Sequence, residues 1–289
     1  MKVLIITPAC NEEHHLSDLI ESMIQQSVLP VEWIIIDDGS TDNTSNLIIK
    51  ASNKYSWITY LRKEKNGLRS PGKSVMEVFY YGFDKRKKND YDIYMKIDAD
   101  LILPNNYLAE IIQQFIQHPT IGICGGICVI KKSYDYTIEQ QTNMDHVRGA
   151  IKAYRKECFL EIGGLVKKMG WDTIDEHYAR YRKWEVCVLS NLHVIHRRST
   201  NQDYGFFRAA YRNGRMLYSI RMGFILLIVN CLKNSIRKPY LLLFFAMFFG
   251  YCVSFFNRHE KIVSKDLGAF IRNYRYKKIL ERIRGYLFI

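Results

Sequence analysis

The chain is 289 residues and 34.1 kDa, with 48% hydrophobic and 25% charged residues, enough for one large α/β domain and an appendage but not for three ordinary domains. Near-average Gly (17) and Pro (6) exclude collagen-like and low-complexity classes, and the apolar content excludes wholesale disorder. The net charge of +13 is localised, because residues 197–289 hold 18 Lys and Arg against 4 Asp and Glu.

In chain order, residues 3–6 form an apolar strand ended by Pro8, and Leu16, Leu19, Ile20 and Met23 then follow at helical spacing. Strands are expected over 33–36, 58–61 and 93–97, a Gly-interrupted strand region over 121–130, and a further strand over 192–196. Helices are expected from residue 44 to 49, over 73–83 and over 108–116. Strands alternating with helices predict an α/β fold with a doubly wound, mostly parallel sheet. Near-continuous apolar strands predict helices on both of its faces. The seven Cys include no CxxC pair, which argues against a disulfide framework or a cysteine-rich zinc site and for a reduced, cytosolic chain. No cleavable small-residue site follows the first apolar run, so no signal peptide is expected.

Three strand ends carry polar clusters: 7–12, 37–40 and 98–100. In such sheets ligands bind outside the carboxyl ends of the strands. Asp98-Ala99-Asp100 sets two carboxylates one residue apart that can both approach one hard divalent cation, Mg²⁺ or Mn²⁺, of the kind that often shares its shell with substrate phosphates. The plainer alternative is a solvated turn with a helix cap, which loses ground because the pair is in register with the other clusters. Asp37 and Asp38 offer acceptors to a base or ribose, while Ser40 or Thr41 caps the next helix. The segment 67–74 formally fits the pattern of a phosphate-binding P-loop. However, it does not leave an early strand, and Pro71 removes an amide, so it reads as a basic loop offering Arg69 and Lys73 to a diphosphate.

Thr7-Pro8-Ala9-Cys10-Asn11-Glu12-Glu13, Ile36-Asp37-Asp38-Gly39-Ser40 and Lys96-Ile97-Asp98-Ala99-Asp100, in this order, resemble family 2 glycosyltransferases of the GT-A fold. Tyr154-Arg155, Gly163-Gly164-Leu165 and Gly170-Trp171-Asp172-Thr173-Ile174-Asp175-Glu176 extend the resemblance over roughly the first 200 residues. It implies transfer of a sugar, with inversion, from a nucleotide diphosphate sugar, UDP-sugar favoured, to a hydroxyl of a glycan or lipid-linked acceptor in cell-surface polysaccharide synthesis. It also implies donor contacts from Pro8, Glu12, Asp37 or Asp38, and Asp98, and a metal held by Asp98 and Asp100 with His196 as a third ligand. Asp175 or Glu176 would be the catalytic base, although the acidic pair has reversed order here. Trp171, His146 and Arg148 are candidates for the acceptor side. The plainer reading of the pair is a charged helix N-terminus, and that of Trp171 is a core residue.

The last third frames apolar runs, 222–232 and the uncharged 239–257, with basic and aromatic residues. That pattern fits an anionic membrane surface better than a nucleic acid, for which base-stacking motifs are missing. Residues 1–200 are therefore read as the catalytic domain. Residues 201–289 are read as a helical region docking on the cytoplasmic side of a membrane near a polyprenyl-linked acceptor. For 239–257, a single span, a re-entrant hairpin and a buried helix pair are all consistent with the sequence. The rival classes are a catalytically inactive scaffold of the same fold and a nucleotidyltransferase.

Overall fold

Apolar runs a few residues long, each followed by an amphipathic segment, fold as a β/α array. The computed structural model describes residues 1–64, 72–132, 135–139, 144–198, 205–235 and 241–287, and its chain divides into two units, Met1–Ser199 and Thr200–Ile289. The first unit opens with β1 (Val3–Ala9), α1 (Leu16–Ile24), β2 (Glu32–Asp37), α2 (Thr44–Lys54), β3 (Ile58–Arg62) and α3 (Lys73–Asp84). It continues through β4 (Ile93–Ile97), β5 (Leu101–Ile102), α4 (Tyr107–Gln117), β6 (Ile121–Lys132) and β7 (Asp135–Ile138). It closes with β8 (Ile151–Arg155), α5 (Lys156–Glu161), α6 (Trp171–Tyr181) and β9 (Glu185–His196).

The sheet order is β3-β2-β1-β4-β8-β6-β9-β5, with β7 paired to β6. Side chains alternate between two cores. Val3, Ile5, Trp33 and Ile35 pack on one face, and Leu4, Ile6, Ile34 and Ile36 on the other. Helices thus cover both faces, as expected.

The expectation of a mostly parallel sheet is corrected. β3, β2, β1 and β4 are parallel, as are β6 and β9. β8 is antiparallel to both β4 and β6, β7 to β6, and β5 to β9. The cause lies in the connections: among the described residues no helix stands between β6 and β8 to carry the chain back across the sheet, and a parallel return requires such a crossover. Pro8 is a second correction, since it does not end β1 but pairs in register with Ile36. Val3 and Ala9 direct their carbonyls to the β2 side, accepting from Val31 and Asp38, so the even positions face β4. Pairing with β4 stops at Ile6–Lys96. The amide that proline lacks would therefore have had no ladder partner.

The second unit consists of α7 (Phe206–Ser219), α8 (Phe224–Ser235), α9 (Leu241–Phe256) and α10 (Lys265–Leu287). α7 and α9 touch backbone to backbone, for a Cβ built on Gly214 would lie 1.9 Å from the Met247 carbonyl, and one on Gly250 2.1 Å from that of Tyr211. Tyr218 meets Tyr251 edge-on at 5.5 Å between ring centroids. Among the described residues no helix is long and apolar enough to cross a membrane. At 16 residues, α9 is about 24 Å long, shorter than a bilayer core. Within 239–257 the described residues form α9, which packs against both α7 and α8 and, unlike the buried pair the sequence allowed, leaves large apolar side chains exposed.

Gly250→Ala raises intrinsic helix propensity by about 0.8–1.0 kcal/mol. The steric contact dominates, however, and the variant is expected to lose about 1–3 kcal/mol in chemical denaturation.

Candidate active site

The chain crosses from the β1-β2-β3 side of the sheet to β4, so the topological switch lies between the carboxyl ends of β1 and β4. On the β1 side, two loops are stitched together. Asn11 adopts a left-handed backbone with φ 56°. Its Oδ1 accepts the Thr41 N–H at 2.9 Å, and its own N–H donates to Ser40 Oγ at 3.0 Å. The Glu12 N–H donates to Thr44 Oγ1 at 2.8 Å. Asp37 is wholly buried. Its Oδ1 accepts the Ser40 N–H at 2.7 Å, and its Oδ2 accepts Ser45 Oγ and, at 3.1 Å, Arg62 Nη1. With both oxygens committed, Asp37 shapes the turn and is removed from the donor-binding set. Asp38 stands next to it, its carboxylate 3.9 Å from Lys63 Nζ, and Pro8 is the partly exposed residue of an otherwise buried β1. Arg69 lies outside the described residues. Lys73 is on the first turn of α3, 59% exposed and 3.6 Å from Glu77, an ordinary surface pair along one helix face.

On the other side of the switch, β4, the approach to β8 and the end of β9 supply partners to Asp98-Ala99-Asp100. The Asp98 N–H donates to the Ala150 carbonyl at 2.9 Å. Its Oδ1 accepts from the buried Lys96 ammonium, which also donates to the Gly149 carbonyl at 3.0 Å. The β5–β9 ladder pairs Leu101 with His196, and the Arg197 N–H donates to the Asp100 carbonyl at 2.9 Å. Six groups of alternating sign result. Arg198 joins Glu12 Oε1 to Asp100 Oδ2, the latter at 3.1 Å from its Nε. His196 places Nε2 3.4 Å from Asp100 Oδ2 and Nδ1 3.2 Å from Glu139 Oε2. Arg148 Nη2 closes the row at 3.1 Å from Glu139 Oε2.

The charges follow from this arrangement. Burial opposes a charged His196, but the hydrogen bonds and charges of Asp100 and Glu139 outweigh it and push the imidazole up to about 9. Burial would raise Asp100, yet His196 and Arg198 hold it at about 2. Burial dominates at Glu12, whose carboxyl rises to about 7 despite Arg198. Its Oε2 is buried without a hydrogen-bond partner. Cys128, Glu139 and His196 also bring ligand atoms within 4.8 Å of one another. Burial lifts the Cys128 thiol to about 12, so with no cation present it is a neutral, buried thiol. Arg148 already occupies Glu139. A second pair that could serve a divalent cation is Asp100 Oδ2 and His196 Nε2, 3.4 Å apart, with Glu139 orienting the ring through Nδ1; Asp98 lies two residues before Asp100 and is paired with Lys96. Arg148, expected on the acceptor side, is drawn into this row by Glu139. Glu139 escaped the sequence reading because an isolated acid on a short hairpin carries no motif.

The acidic pair has a different character. Asp175 and Glu176 lie in the second turn of α6, both 2% exposed. The fully buried Lys152 ammonium donates to Asp175 Oδ1 and Oδ2 at 2.8 and 2.9 Å, and stands 3.0 Å from Glu176 Oε1. Tyr154 Oη donates to Asp175 Oδ2. Glu176 also accepts the Val147 N–H at 2.8 Å, with His146 Nδ1 at 3.1 Å and Arg180 Nη1 at 3.3 Å. Burial raises the Asp175 carboxyl against the pull of Lys152. The combined pull of Lys152, His146 and Arg180 overcomes burial and holds Glu176 far below the usual carboxylate range. Neither carboxylate faces solvent, which counts against the expectation that one of them is the base. Trp171 is likewise buried, with Lys96 and Lys152 at 5.4 and 5.9 Å from its ring, so its face is taken by cations and not by a sugar.

Asp172, in the first turn of α6, keeps its carboxylate 32% exposed and 3.8 Å from His146 Nε2. It packs on Gly149, whose carbonyl shares the Lys96 ammonium with Asp98: a Cβ on that glycine would lie 3.1 Å from Asp172 Oδ2. This open carboxylate was in view in the sequence but was overshadowed by the adjacent pair.

Residues 4–183 match the family described as glycosyl transferase family 2, and the chain belongs to that family. It is 34% identical over 122 residues to the 4,4'-diaponeurosporenoate glycosyltransferase of Staphylococcus haemolyticus, covering 42% of this chain and 30% of that one. Over 119 residues it is 29% identical to the poly-beta-1,6-N-acetyl-D-glucosamine synthase of Staphylococcus aureus, covering 41% and 26%. The matches thus span a third or less of these relatives' lengths. Among solved structures, S. aureus TarS 1–349 in complex with UDP-GlcNAc aligns with TM-score 0.55 and 17% identity over 75% of this chain and 66% of that one. The mannosyltransferase PcManGT of Pyrobaculum calidifontis, in complex with GDP-Man and Mn²⁺, aligns with TM-score 0.54 and 13% identity over 99% and 82%. At these identities the likeness establishes the shared fold.

Two outcomes check the electrostatics. Lys152→Met strands two buried carboxylates and is expected to cost about 3–5 kcal/mol in urea denaturation. The folded His196 value of about 9 lies above its ordinary 6.5, so its contribution is complete below pH 6.5 and lost as pH rises through 9. Chelator-treated protein should therefore lose on the order of 2–3 kcal/mol across that window, and His196→Gln should flatten the loss.

Proposed function

We propose that the chain is an inverting, metal-dependent glycosyltransferase that moves a sugar from a nucleotide diphosphate sugar, UDP-sugar favoured, to a hydroxyl of a glycan or lipid-linked acceptor in cell-surface polysaccharide synthesis. The observation that carries this reading is the meeting at one topological switch of the Asp98-Ala99-Asp100 turn and His196, whose Nε2 is 3.4 Å from Asp100 Oδ2, with the partly exposed carboxylate of Asp172 packed on Gly149. UDP and UDP-GlcNAc complexes of TarS, together with the Mn²⁺ complex of PcManGT, support the donor and the cation.

In this reading Pro8 and Asp38 line the nucleoside side, on loops stitched by Asn11 and Asp37. Asp100 and His196, with Asp98 on the same turn, would hold Mg²⁺ or Mn²⁺, which when bound would stabilise the charge developing on the diphosphate. Arg198, half exposed between Glu12 and Asp100, supplies a cation of the protein's own to the same diphosphate. Asp172 takes the acceptor hydroxyl proton on its carboxylate. The acceptor oxygen forms a bond to the anomeric carbon on the face opposite the diphosphate, the bond to the diphosphate oxygen breaks, and nucleoside diphosphate leaves. His146, beside both Asp172 and Glu176, positions the base. Asp175, Glu176 and Lys152 fix the helix that presents it.

Nucleoside diphosphate release from a nucleotide-sugar panel, with Mn²⁺ and with chelator, tests this. Asp172→Asn is expected to lower turnover by about 10²–10⁴ with the fold intact, and Asp100→Asn to abolish it. Pyrophosphate release would identify a nucleotidyltransferase. A folded protein that consumes no donor in any arm would leave the scaffold reading standing.

A further inference from the structure

The second unit turns two apolar helix faces outward. On α9, Leu241, Phe245, Phe249 and Phe256 recur at helical spacing, and Phe245, Phe249 and Phe256 are 60%, 62% and 77% exposed. On α8, Ile225, Val229 and Leu232 form a matching exposed row. Phe224 meets Phe248 at 6.0 Å between the two helices. The opposite side of α9 is already engaged, with Ala246 and Gly250 buried and Gly250 against the Tyr211 carbonyl of α7. The pair is therefore fixed with its hydrocarbon facing out. A soluble monomer rarely exposes so many large apolar side chains in one place without a partner.

Charge selects the partner. Residues 200–289 hold 16 Lys and Arg against 4 Asp and Glu, so a second copy would bring a like-charged surface. Exposed Lys233 follows the α8 row and exposed Arg258 follows α9, placing cations at the borders of the apolar face. A phosphate-lined nucleic-acid groove would leave the uncharged Phe-rich face of α9 uncovered, whereas an anionic bilayer satisfies both features. Because no described helix is long enough to cross, the fitting arrangement is a pair lying in the interface.

We propose that the α8–α9 face seats in the headgroup region of a bilayer containing anionic phospholipid, with Phe245 and Phe249 entering the acyl boundary and the bordering cations reading the lipid charge. The proposal rests on the second unit alone and is independent of the donor chemistry assigned to the first.

Flotation of the full chain with vesicles tests it. Binding to phosphatidylcholine–phosphatidylglycerol vesicles is expected to exceed that to phosphatidylcholine by about tenfold or more and to fall towards it in high salt. Phe245→Glu/Phe249→Glu is expected to lose that binding while keeping the wild-type melting temperature. A second, conservative variant guards against misfolding: Phe249→Trp should be quenched by brominated acyl chains above the background of the four native Trp, all within residues 1–199. Three results overturn the proposal: no vesicle binding by wild type, no quenching of the indole at 249, or equal binding to both vesicle types. A vesicle-free dimer that dissociates in the double Glu variant would assign the face to a second copy instead.

Discussion

The first unit depends on one buried ammonium. Lys152 projects from β8 with no solvent contact and is surrounded by Asp175, Glu176 and the Asp172 carbonyl. An isolated charge in that position would be prohibitive, and the cluster exists because each member offsets another's desolvation. Its mechanical effect is to fasten α6 to β8, which fixes Gly149 and the Asp98 backbone beside it. The placement of Asp172 therefore follows from a charge pairing that never meets substrate.

A second set of charges runs along the rim of the switch. Glu12, Arg198, Asp100, His196, Glu139 and Arg148 alternate in sign, drawn from the β1 loop, the β4 turn, the end of β9, the β7 hairpin and the approach to β8. No two consecutive members of the row come from the same element. The row thus acts as a clasp between segments far apart in sequence, and it leaves Asp100 ionised at any physiological pH.

Much of this was legible in the sequence, and the reasons differ by element. The apolar strands 3–6, 33–36 and 93–97 and the helix spacing after Leu16 announce themselves because both sheet faces are buried there. The aspartates after β4 are readable because a strand end is a fixed place for a ligand. Strand direction is not encoded in residue pattern, so the reversal of β8 was invisible; it follows from what lies between β6 and β8. The acidic pair misled because motif resemblance reports residue types, whereas the partition between Asp175, Glu176 and Asp172 is decided by where the Lys152 ammonium lands. Lys73 looked like a phosphate contact by composition and is a surface partner of Glu77.

Pro8 carries a consequence beyond its own residue. It stands where β1 and β4 part company, and its ring nitrogen has no hydrogen to extend the ladder towards the loop that bears the aspartates. The sheet opens between those two strands past the Ile6–Lys96 rung, so the proline sits where no ladder hydrogen is called for. The same ring two residues earlier, at Ile6, would fall inside the β1–β4 ladder and cost it a hydrogen bond.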